Sequence, residues 1–238
     1  MKSPTKGKPT RQIFGVSGNK TSVARVMNMI SALELFSPEE IQKKMEDLIY
    51  DTLGEVPPGH MGELSQWDEI DRAYPDNTKM LVISNEICGF WAFVALKDEY
   101  FQLARQGKLR EGSITIKALD SMQAPKEYKG YFLDIVVSSE HRTMKNFLLL
   151  VDAFVNQLEA YAETGSFLVE WCANAYSDAG RKLCQTFGLE YVCDHEQEGE
   201  GKIYYAKLSN ESLKLPIFKK YPRLVELYSN YFAEQNRH

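Results

Sequence analysis

The stretch that decides the fold of this chain runs from residue 131 to 142 and reads Y-F-L-D-I-V-V-S-S-E-H-R. Its first part, residues 131–137, is a nearly continuous apolar run, typical of a strand that is covered on both faces of a sheet. A polar turn follows, and apolar residues then recur at helical spacing over 144–158. A second apolar run covers 167–173. The order strand, long helix, strand predicts two adjacent parallel strands with a right-handed crossover.

Upstream of this unit the sequence predicts helices and a hairpin. Ser37, followed by Pro38 and two glutamates, is a strong helix start, with serine as the N-cap and proline in the first turn. Residues 80–83 and 87–96 are apolar runs joined by a short polar turn, which predicts an antiparallel hairpin. Residues 23–35 fit either a strand or an apolar helix, and periodicity alone does not separate the two.

Downstream the pattern predicts a short helix that ends at Gly188, strands near 189–192 and 202–208, and a C-terminal helix over 221–234. The apolar stripe of this last helix has to be buried against the body of the protein or against a second chain. We therefore expect three parts: a disordered basic tail over 1–12, one domain over 13–210, and a helical extension over 211–238.

Composition excludes several classes of protein. The 44% apolar and 26% charged fractions are those of a globular protein. No stretch approaches the roughly 18 uninterrupted apolar residues of a membrane span, and the N-terminus lacks the apolar core of a signal peptide, so we expect a cytoplasmic protein with no membrane partner. The net charge is −5, and residues 1–11 hold four basic residues and no acid. An acidic body argues against a nucleic-acid partner.

The four cysteines predict reduced, mostly buried thiols, because they are widely spaced and include no C-x-x-C pair. The only cluster with metal-binding residue types is Asp194-His195-Glu196. A solvated hairpin loop explains this cluster better than a metal site, so we expect no metal.

Two segments resemble the GNAT (GCN5-related N-acetyltransferase) superfamily, of which this chain looks like a divergent member. Residues 131–142 resemble the family's central strand and the turn before its cofactor-binding helix, and residues 177–189, S-D-A-G-R-K-L-C-Q-T-F-G-L, resemble a later helix that ends in glycine. The resemblance implies an α/β fold with a mixed central sheet flanked by helices, here with an extra C-terminal helix. It also implies acetyl-CoA, or another acyl-CoA, as co-substrate.

In that family the pantetheine arm lies between two parallel strands, and the pyrophosphate rests on N–H groups at the start of the long helix. The resemblance implies these cofactor-binding residues: Val136, Val137, Arg142, Thr143, Met144, Lys145, Asn146, Phe147, Asn174 and Ser177. The family's loop has a glycine where this chain has Lys145, and a second small residue where it has Phe147. Lys145 can obstruct the phosphates or contribute a charge to them, and Phe147 belongs to the apolar stripe.

Three residues are candidates for catalysis. Asp134 is an acid among hydrophobic residues, on a face expected to include Phe132 and Val136, where burial would raise its pKa and suit it to act as a base. The alternative is a strand-edge carboxylate paired with a lysine. Glu170 is a similar candidate in the next strand. Cys184 stands where many family members have a tyrosine acid, although a cysteine on the apolar face of a helix is usually part of the core.

The leading hypothesis is an acyl-CoA-dependent N-acyltransferase, acetyl being the first expectation, that acts on an amine of a small molecule or a protein. The alternative is a catalytically degenerate GNAT-fold module for binding or regulation. A third hypothesis is an interaction protein in which the aromatic C-terminal segment forms an oligomer surface, for which a homodimer is the simplest case. The acceptor pocket is expected to come from 55–75 and 97–129.

Overall fold

We describe a computed structural model of the chain over residues 23–54, 56, 61–197, 199 and 201–237. One seven-stranded mixed sheet organises these residues, in the order β1-β2-β3-β4-β5-β7-β6. The strands are β1 (Ala24–Asn28), β2 (Thr78–Ile83), β3 (Glu86–Leu96), β4 (Glu127–Val137), β5 (Phe167–Ala175), β6 (Glu190–Asp194) and β7 (Lys202–Lys207). All neighbouring strands are antiparallel except β4 and β5, which are parallel.

Helices cover both faces of the sheet, which is why the central strands are apolar on both sides. The helices are α1 (Met29–Leu33), α2 (Pro38–Leu53), α3 (Leu64–Ala73), α4 (Asp98–Arg105), α5 (Met144–Glu163), α6 (Asp178–Thr186) and α7 (Pro222–Gln235). Helices α5, α6 and α7 pack on one face, and α1 to α4 pack on the other. The predicted fold class, an α/β protein with a mixed sheet flanked by helices, is confirmed.

The central prediction from the sequence is also confirmed. β4 and β5 are adjacent and parallel, and α5 crosses over between them. The predicted hairpin is β2–β3, in which Ser84 and Asn85 adopt the positive φ angles that tight hairpin turns require. Ser37 begins α2 with a complete capping box, since its hydroxyl accepts from Glu40 N–H and Glu40 accepts from Ser37 N–H.

The C-terminal helix α7 packs on the body of the protein. Leu224 and Tyr228 are buried in the core beneath α5, and the Tyr228 hydroxyl accepts a hydrogen bond from Leu168 N–H of β5 at 3.0 Å. The body of the protein therefore buries Leu224 and Tyr228, whereas Leu227, Tyr231 and Phe232 stay half-buried. The boundaries of the domain and of its N-terminal tail stay a prediction, and the tail lies outside the described residues.

The structure resolves one open alternative from the sequence and corrects one local expectation. Residues 23–35 are both a strand and a helix, because β1 ends at Asn28, whose side chain caps α1. The loop at 194–196 is not fully solvated: His195 is buried, its Nε2 lies 2.9 Å from the carbonyl oxygen of Leu109, and its Nδ1 accepts from Gln197 N–H. No helix in the described part of the chain is long and apolar enough to cross a membrane.

Candidate active site

A gap opens in the sheet between the two parallel strands. The last β4–β5 pair is Phe132 with Ala173, and beyond it β4 continues to Val137 without β5 as a neighbour. The β3–β4 register shifts at the same place, because Ala92 pairs with Asp134 whereas Phe93 pairs with Phe132. Leu133 is thus the extra residue of a β-bulge, a device that bends a strand and re-aims its side chains. The bulge lies at the point where β4 and β5 separate.

The register also determines which backbone groups of β4 face the gap. Ser138 N–H donates to the carbonyl of Cys88, which makes Gly89 and Val137 a pair that exchanges no hydrogen bonds with each other. Val137, and Ile135 two residues earlier, therefore turn their N–H and C=O groups away from β3 and towards the gap. The backbone of Val136 points to β3 instead. Of the two valines expected along the pantetheine, only Val137 offers its backbone there.

The start of α5 lies directly after the end of β4. Thr143 is the N-cap, and its hydroxyl accepts from Asn146 N–H at 3.2 Å. The Asn146 side chain donates to the carbonyl of His141 at 2.9 Å, which holds the turn before the helix. The N–H groups of Met144 and Lys145 are the first two of the helix and have no intrahelical acceptor. With the positive end of the helix dipole, they form an arrangement that favours an anion.

Arg142 lies across the end of β4, and its guanidinium makes contacts within the protein. Its Nε and Nη2 both donate to the Val137 carbonyl at 3.2 Å, and Nη2 lies 3.5 Å from the Thr52 hydroxyl of α2. Nearby, Asp51 accepts from the N–H and hydroxyl of Ser139. The backbone hydrogen bond from Ser139 is the main cause of the lowered pKa of Asp51. The end of α2 thus holds the turn between β4 and α5.

The remaining residues expected near the cofactor have mixed surroundings. Phe147 is half-buried and packs against the core on the α5 face, as the apolar stripe predicts. Asn174 is buried at the end of β5, and its Nδ2 donates to the hydroxyl of Tyr176 at 2.7 Å. Ser177 is the N-cap of α6 and accepts from Gly180 N–H. Their contacts with a cofactor stay predictions.

A cavity of about 70 Å³ lies between α2, α3 and the sheet, and it reaches β4 at Leu133 and Asp134, the first residues beyond the last β4–β5 pair. Four acidic residues line this cavity: Glu46, Asp71, Glu111 and Asp134. Its apolar walls include Met45, Ile49, Leu64, Trp67, Ile70 and Leu133. No lysine, arginine or histidine belongs to the lining that the described residues provide. The cavity therefore combines an apolar surface with negative charge.

Asp71 is a buried acid of the cavity whose pKa is strongly shifted. Its side chain is 7% exposed, and Oδ1 accepts from the Thr78 hydroxyl at 3.1 Å. Burial raises the pKa of Asp71 from 3.8 to about 7; the hydrogen bond from Thr78 lowers it, and the charge of Asp68 raises it further. A carboxyl group that titrates near neutral pH can both accept and release a proton under physiological conditions.

Glu111 is a second buried acid in the cavity wall. It is 3% exposed and accepts a hydrogen bond from the hydroxyl of Tyr131 at 2.6 Å. Burial, reinforced by the charge of Glu111, raises the pKa of Tyr131 well above its usual value, so this hydroxyl remains a donor. The pair connects β4 to the loop between α4 and β4.

The bulge changes the surroundings expected for Asp134. Because Leu133 is an extra residue, Phe132 lies on the α5 face, whereas Asp134 faces α2 and α3 together with Val136. The expectation that Phe132 and Asp134 share a face is therefore wrong. Asp134 does line the cavity, beside Ala92 of β3.

The other two catalytic candidates lie apart from the cavity lining. The carboxylate of Glu170 accepts from the Tyr205 hydroxyl at 2.7 Å and lies 3.3 Å from Lys129 Nζ, so it belongs to an ion pair near the start of β5. Cys184 is buried in the core between α6 and the sheet, and burial raises its pKa to about 12. With this raised pKa the thiol is uncharged at neutral pH, which argues against a thiolate nucleophile.

Sequence reasoning missed Asp71 and Glu111. Asp71 carries a readable signal, since Trp67, Ile70 and Tyr74 form an apolar helical stripe of which Asp71 is also a member. An acid in such a stripe faces the core and needs a reason to be there. Glu111 lies in an irregular loop and offers no comparable signal.

No known family model matches this chain, and no curated protein matches it. Solved structures do match. The NatC complex bound to Gag peptide and CoA is 12% identical, with 79% of this chain and 99% of that chain covered and a TM-score of 0.49. An acetyltransferase of the GNAT family from Staphylococcus aureus is 9% identical, with 79% and 100% covered and a TM-score of 0.49. The GphF GNAT-like decarboxylase in complex with isobutyryl-CoA is 12% identical, with 78% and 100% covered and a TM-score of 0.47.

At these identities and TM-scores the likeness concerns the fold alone. The site described above rests on the residues and register of this chain.

Proposed function

We propose that this chain is an acyl-CoA-dependent N-acyltransferase, with acetyl as the first acyl group to test and an amine of a small molecule or protein as acceptor. One observation carries the proposal: the gap between the parallel strands meets the start of α5 at one end and a carboxylate-lined cavity at the other. A long thioester and an amine can approach each other there from opposite sides.

The chain's donors fit an extended CoA molecule. Ile135 offers its N–H and C=O along the gap, and Val137 offers its N–H, where an amide-rich arm can add to the edge of β4. The unpaired N–H groups of Met144 and Lys145 would face a bound pyrophosphate. The exposed side chain of Lys145 belongs to the same first turn of α5 and can add a positive charge there. Arg142 would hold the end of β4 through the Val137 carbonyl.

In the proposed reaction the amine nitrogen attacks the thioester carbonyl, a C–N bond forms, the C–S bond breaks, and CoA leaves as a thiolate. The incoming ammonium first loses a proton, and the cavity's carboxylates are placed to receive it. Asp71 suits this role because its pKa is about 7, and Asp134 is the candidate nearest to the parting of the strands. The nitrogen loses a second proton as the amide forms, and the thiolate takes up one. Cys184, the donor expected from the sequence, is a weaker acid than an ordinary thiol, because burial raises its pKa to about 12.

A binding module without turnover is the second candidate. The replacement of the family's glycine by Lys145 and the burial of Cys184 both favour it. Turnover and binding separate the two candidates, because a module of this kind binds acyl-CoA and releases no free thiol in the presence of an amine.

Titration calorimetry with acetyl-CoA tests the proposal, together with a colorimetric assay for the released CoA thiol. Ligand at about 100 times its Kd adds about 2.7 kcal/mol of stability, which a thermal-shift assay detects. Lys145→Glu should weaken CoA binding by about tenfold or more, because it places an anion beside the phosphates. An acid in the first turn favours the helix, so misfolding would not explain that loss.

Lys220→Glu is the matched control, since Lys220 is an exposed lysine next to Tyr221, which contacts Asp152 of α5, two turns after the start of that helix. Pantetheine, which carries no phosphate, should bind wild type and Lys145→Glu equally. If wild type binds neither acetyl-CoA nor CoA, the acyltransferase proposal is wrong.

A further inference from the structure

We infer that the free edge of β1 is a dimer interface, at which β1 pairs antiparallel with β1 of a second copy of this chain. β1 is the first strand of the sheet, and β2 is its only neighbouring strand among the described residues. This edge belongs neither to the gap between β4 and β5 nor to the cavity. The interface is therefore independent of the proposed acyltransferase activity.

The register of the β2–β3 hairpin determines which backbone groups of β1 face this edge. In a hairpin with a two-residue turn, the residues that flank the turn exchange two hydrogen bonds, so Ile83 turns its N–H and C=O to β3. Because the backbone direction alternates along a strand, Val82 and Met80 turn their N–H and C=O to β1. They pair there with Arg25 and Met27, whose backbone groups therefore face β2.

The other residues of β1, which are Ala24, Val26 and Asn28, turn their backbone groups away from β2. The alternation continues past the end of the strand, since Met29 N–H donates to the carbonyl of Pro75, just before β2, at 3.2 Å. A row of outward-facing N–H and C=O groups is a template for a further strand. Val26 is in the middle of this row. A two-fold axis beside Val26 would let the two copies of this residue exchange two hydrogen bonds.

The two edges of the sheet differ in how they are protected. At the other edge, β6 has a register shift at Val192, and two of its residues are the acids Glu190 and Asp194. Bulges and charges of this kind disfavour the addition of a further strand. The register of β1 with β2 has no shift, and Arg25 is the one charged residue of β1. The chain thus protects the edge at β6, whereas the edge at β1 is suited to strand pairing.

Pairing about Val26 places compatible side chains opposite one another. Arg25 would lie opposite Met27 of the second copy, and Ala24 would lie opposite Asn28, so no two like charges meet across the strands. Registers centred on Ala24 or Asn28 also align the hydrogen-bonding groups, but they pair fewer residues of β1. The register centred on Val26 is therefore the one that a symmetric dimer would use.

Exposed apolar side chains at both ends of β1 identify a second copy as the occupant. Val23, just before the strand, is 77% exposed, and Ile30 and Leu33, on one face of α1 directly after the strand, are 57% and 41% exposed. Alternation puts Val23 on the same face of the sheet as Met27, which packs in the cluster beneath α1. In the register centred on Val26, Val23 of one copy lies opposite the first residue of α1 of the other, next to Ile30. Each copy would thus cover the exposed apolar residues of the other, once at each end of the paired strands.

Sedimentation equilibrium and amide hydrogen exchange of the full chain test the interface, at protein concentrations from about 1 μM to about 1 mM. We expect a monomer–dimer equilibrium, and we expect the protection of the Val26 amide to rise with protein concentration. The Met27 amide, which faces β2, is the internal control and should be protected equally at every concentration. A monomer at all concentrations would overturn the inference. Protection of Val26 that does not depend on concentration would also overturn it, because residues of the same chain would then cover the edge.

Charge substitutions at the two apolar ends test the register. Val23→Lys and Ile30→Glu should each weaken dimerisation by about tenfold, because each places a charge against an apolar side chain. Both residues are exposed, so the fold of the monomer should be preserved. The double variant should regain most of the affinity, because its two new charges are opposite and would meet across the interface. Val192→Glu, an equally drastic change at the β6 edge, is the matched control and should leave dimerisation unchanged. A dimer lost in Val192→Glu but kept in Ile30→Glu, or a double variant that dimerises no better than the single variants, would contradict the β1 interface.

Discussion

The two faces of the sheet are built for different purposes. On the face covered by α5, α6 and α7, the core is continuous, and Phe154 contacts the rings of five aromatic residues: Trp91, Phe93, Phe132, Trp171 and Phe187. On the face covered by α1 to α4, the core is divided into two clusters, with the cavity at their junction. Both buried carboxylates of the described residues, Asp71 and Glu111, lie on this second face.

The difference indicates that one face of the sheet provides most of the stability, whereas the other face holds the ionisable groups and the cavity. A close-packed aromatic cluster tolerates neither a void nor a charge, since each lowers the free energy of unfolding by several kcal/mol. The divided face leaves space and retains ionisable groups at the price of some stability. The β4–β5 gap joins the two regions, because β4 contributes side chains to both faces and backbone groups to the gap.

Phe154→Ala should be the most damaging single substitution discussed here. Removal of a buried phenyl ring from the aromatic cluster should lower the free energy of unfolding by about 3–5 kcal/mol. Met45→Ala, on a half-buried side chain that already borders the cavity, should cost only about 1 kcal/mol. Urea unfolding of both variants measures the contrast. Similar losses in the two would contradict the view that only one face is tightly packed.

Asp71→Asn should stabilise the protein in a pH-dependent way. The pKa of Asp71 is raised on folding from 3.8 to about 7, so the folded state holds a proton that the unfolded state has lost. Wild-type stability should therefore fall between about pH 4 and pH 7 by about 1.4 kcal/mol per pH unit, and then level off. Asparagine does not titrate. The gain from Asp71→Asn should thus be about 2–3 kcal/mol larger at pH 8 than at pH 5.

The measurement is urea unfolding of wild type, Asp71→Asn and Asp68→Asn at both pH values. Asp68→Asn should show no comparable pH dependence of its effect, because Asp68 is a partly exposed member of an ion pair with Arg72. A gain from Asp71→Asn that is equal at pH 5 and pH 8 would mean that Asp71 is ionised throughout, and that the cavity is wetter than its walls indicate.

Sequence reasoning succeeded where the pattern is local and long. The β4–α5–β5 unit was predicted because an apolar strand, a helical stripe and a second apolar strand follow one another within residues 131–173. The start of α2 was predicted because Ser37 and Pro38 act on adjacent backbone groups. The stripe of α7 was predicted from its period, and the structure shows that it packs on α5.

The cavity could not be predicted, because it is assembled from segments that are far apart in sequence. Its walls come from α2, α3, β2, β3, β4 and the loop at Glu111, and no local pattern indicates that these segments meet. The stretches 55–75 and 97–129, expected to shape the acceptor pocket, do contribute Asp71 and Glu111. The bulge at Leu133 depends on one residue, yet it moves every later side chain of β4 to the other face.

The smallest expected effect concerns Lys145, at the end of the gap where the family's loop has glycine. If the Lys145 ammonium makes a charge-assisted contact with the phosphates, Lys145→Ala should weaken CoA binding by about tenfold, which corresponds to about 1.4 kcal/mol. If the side chain instead keeps phosphate from the backbone, Lys145→Gly should strengthen binding, because the N–H groups of α5 become accessible.

Titration calorimetry with CoA decides between these outcomes, with Lys207→Ala as the control for a lost surface charge. Alanine and glycine together separate charge from access, since both remove the ammonium but glycine also removes Cβ. Glycine within the first turn costs about 1 kcal/mol of helix stability, so the melting temperature of Lys145→Gly has to be measured as well. Weaker CoA binding by both variants would indicate that Lys145 contacts the phosphates. Tighter CoA binding by Lys145→Gly alone would indicate that the Lys145 side chain obstructs them. If wild type, Lys145→Ala and Lys145→Gly all fail to bind CoA, then the start of α5 is an ordinary capped helix terminus. In that case CoA binding does not account for the cavity and the buried carboxylates on the second face.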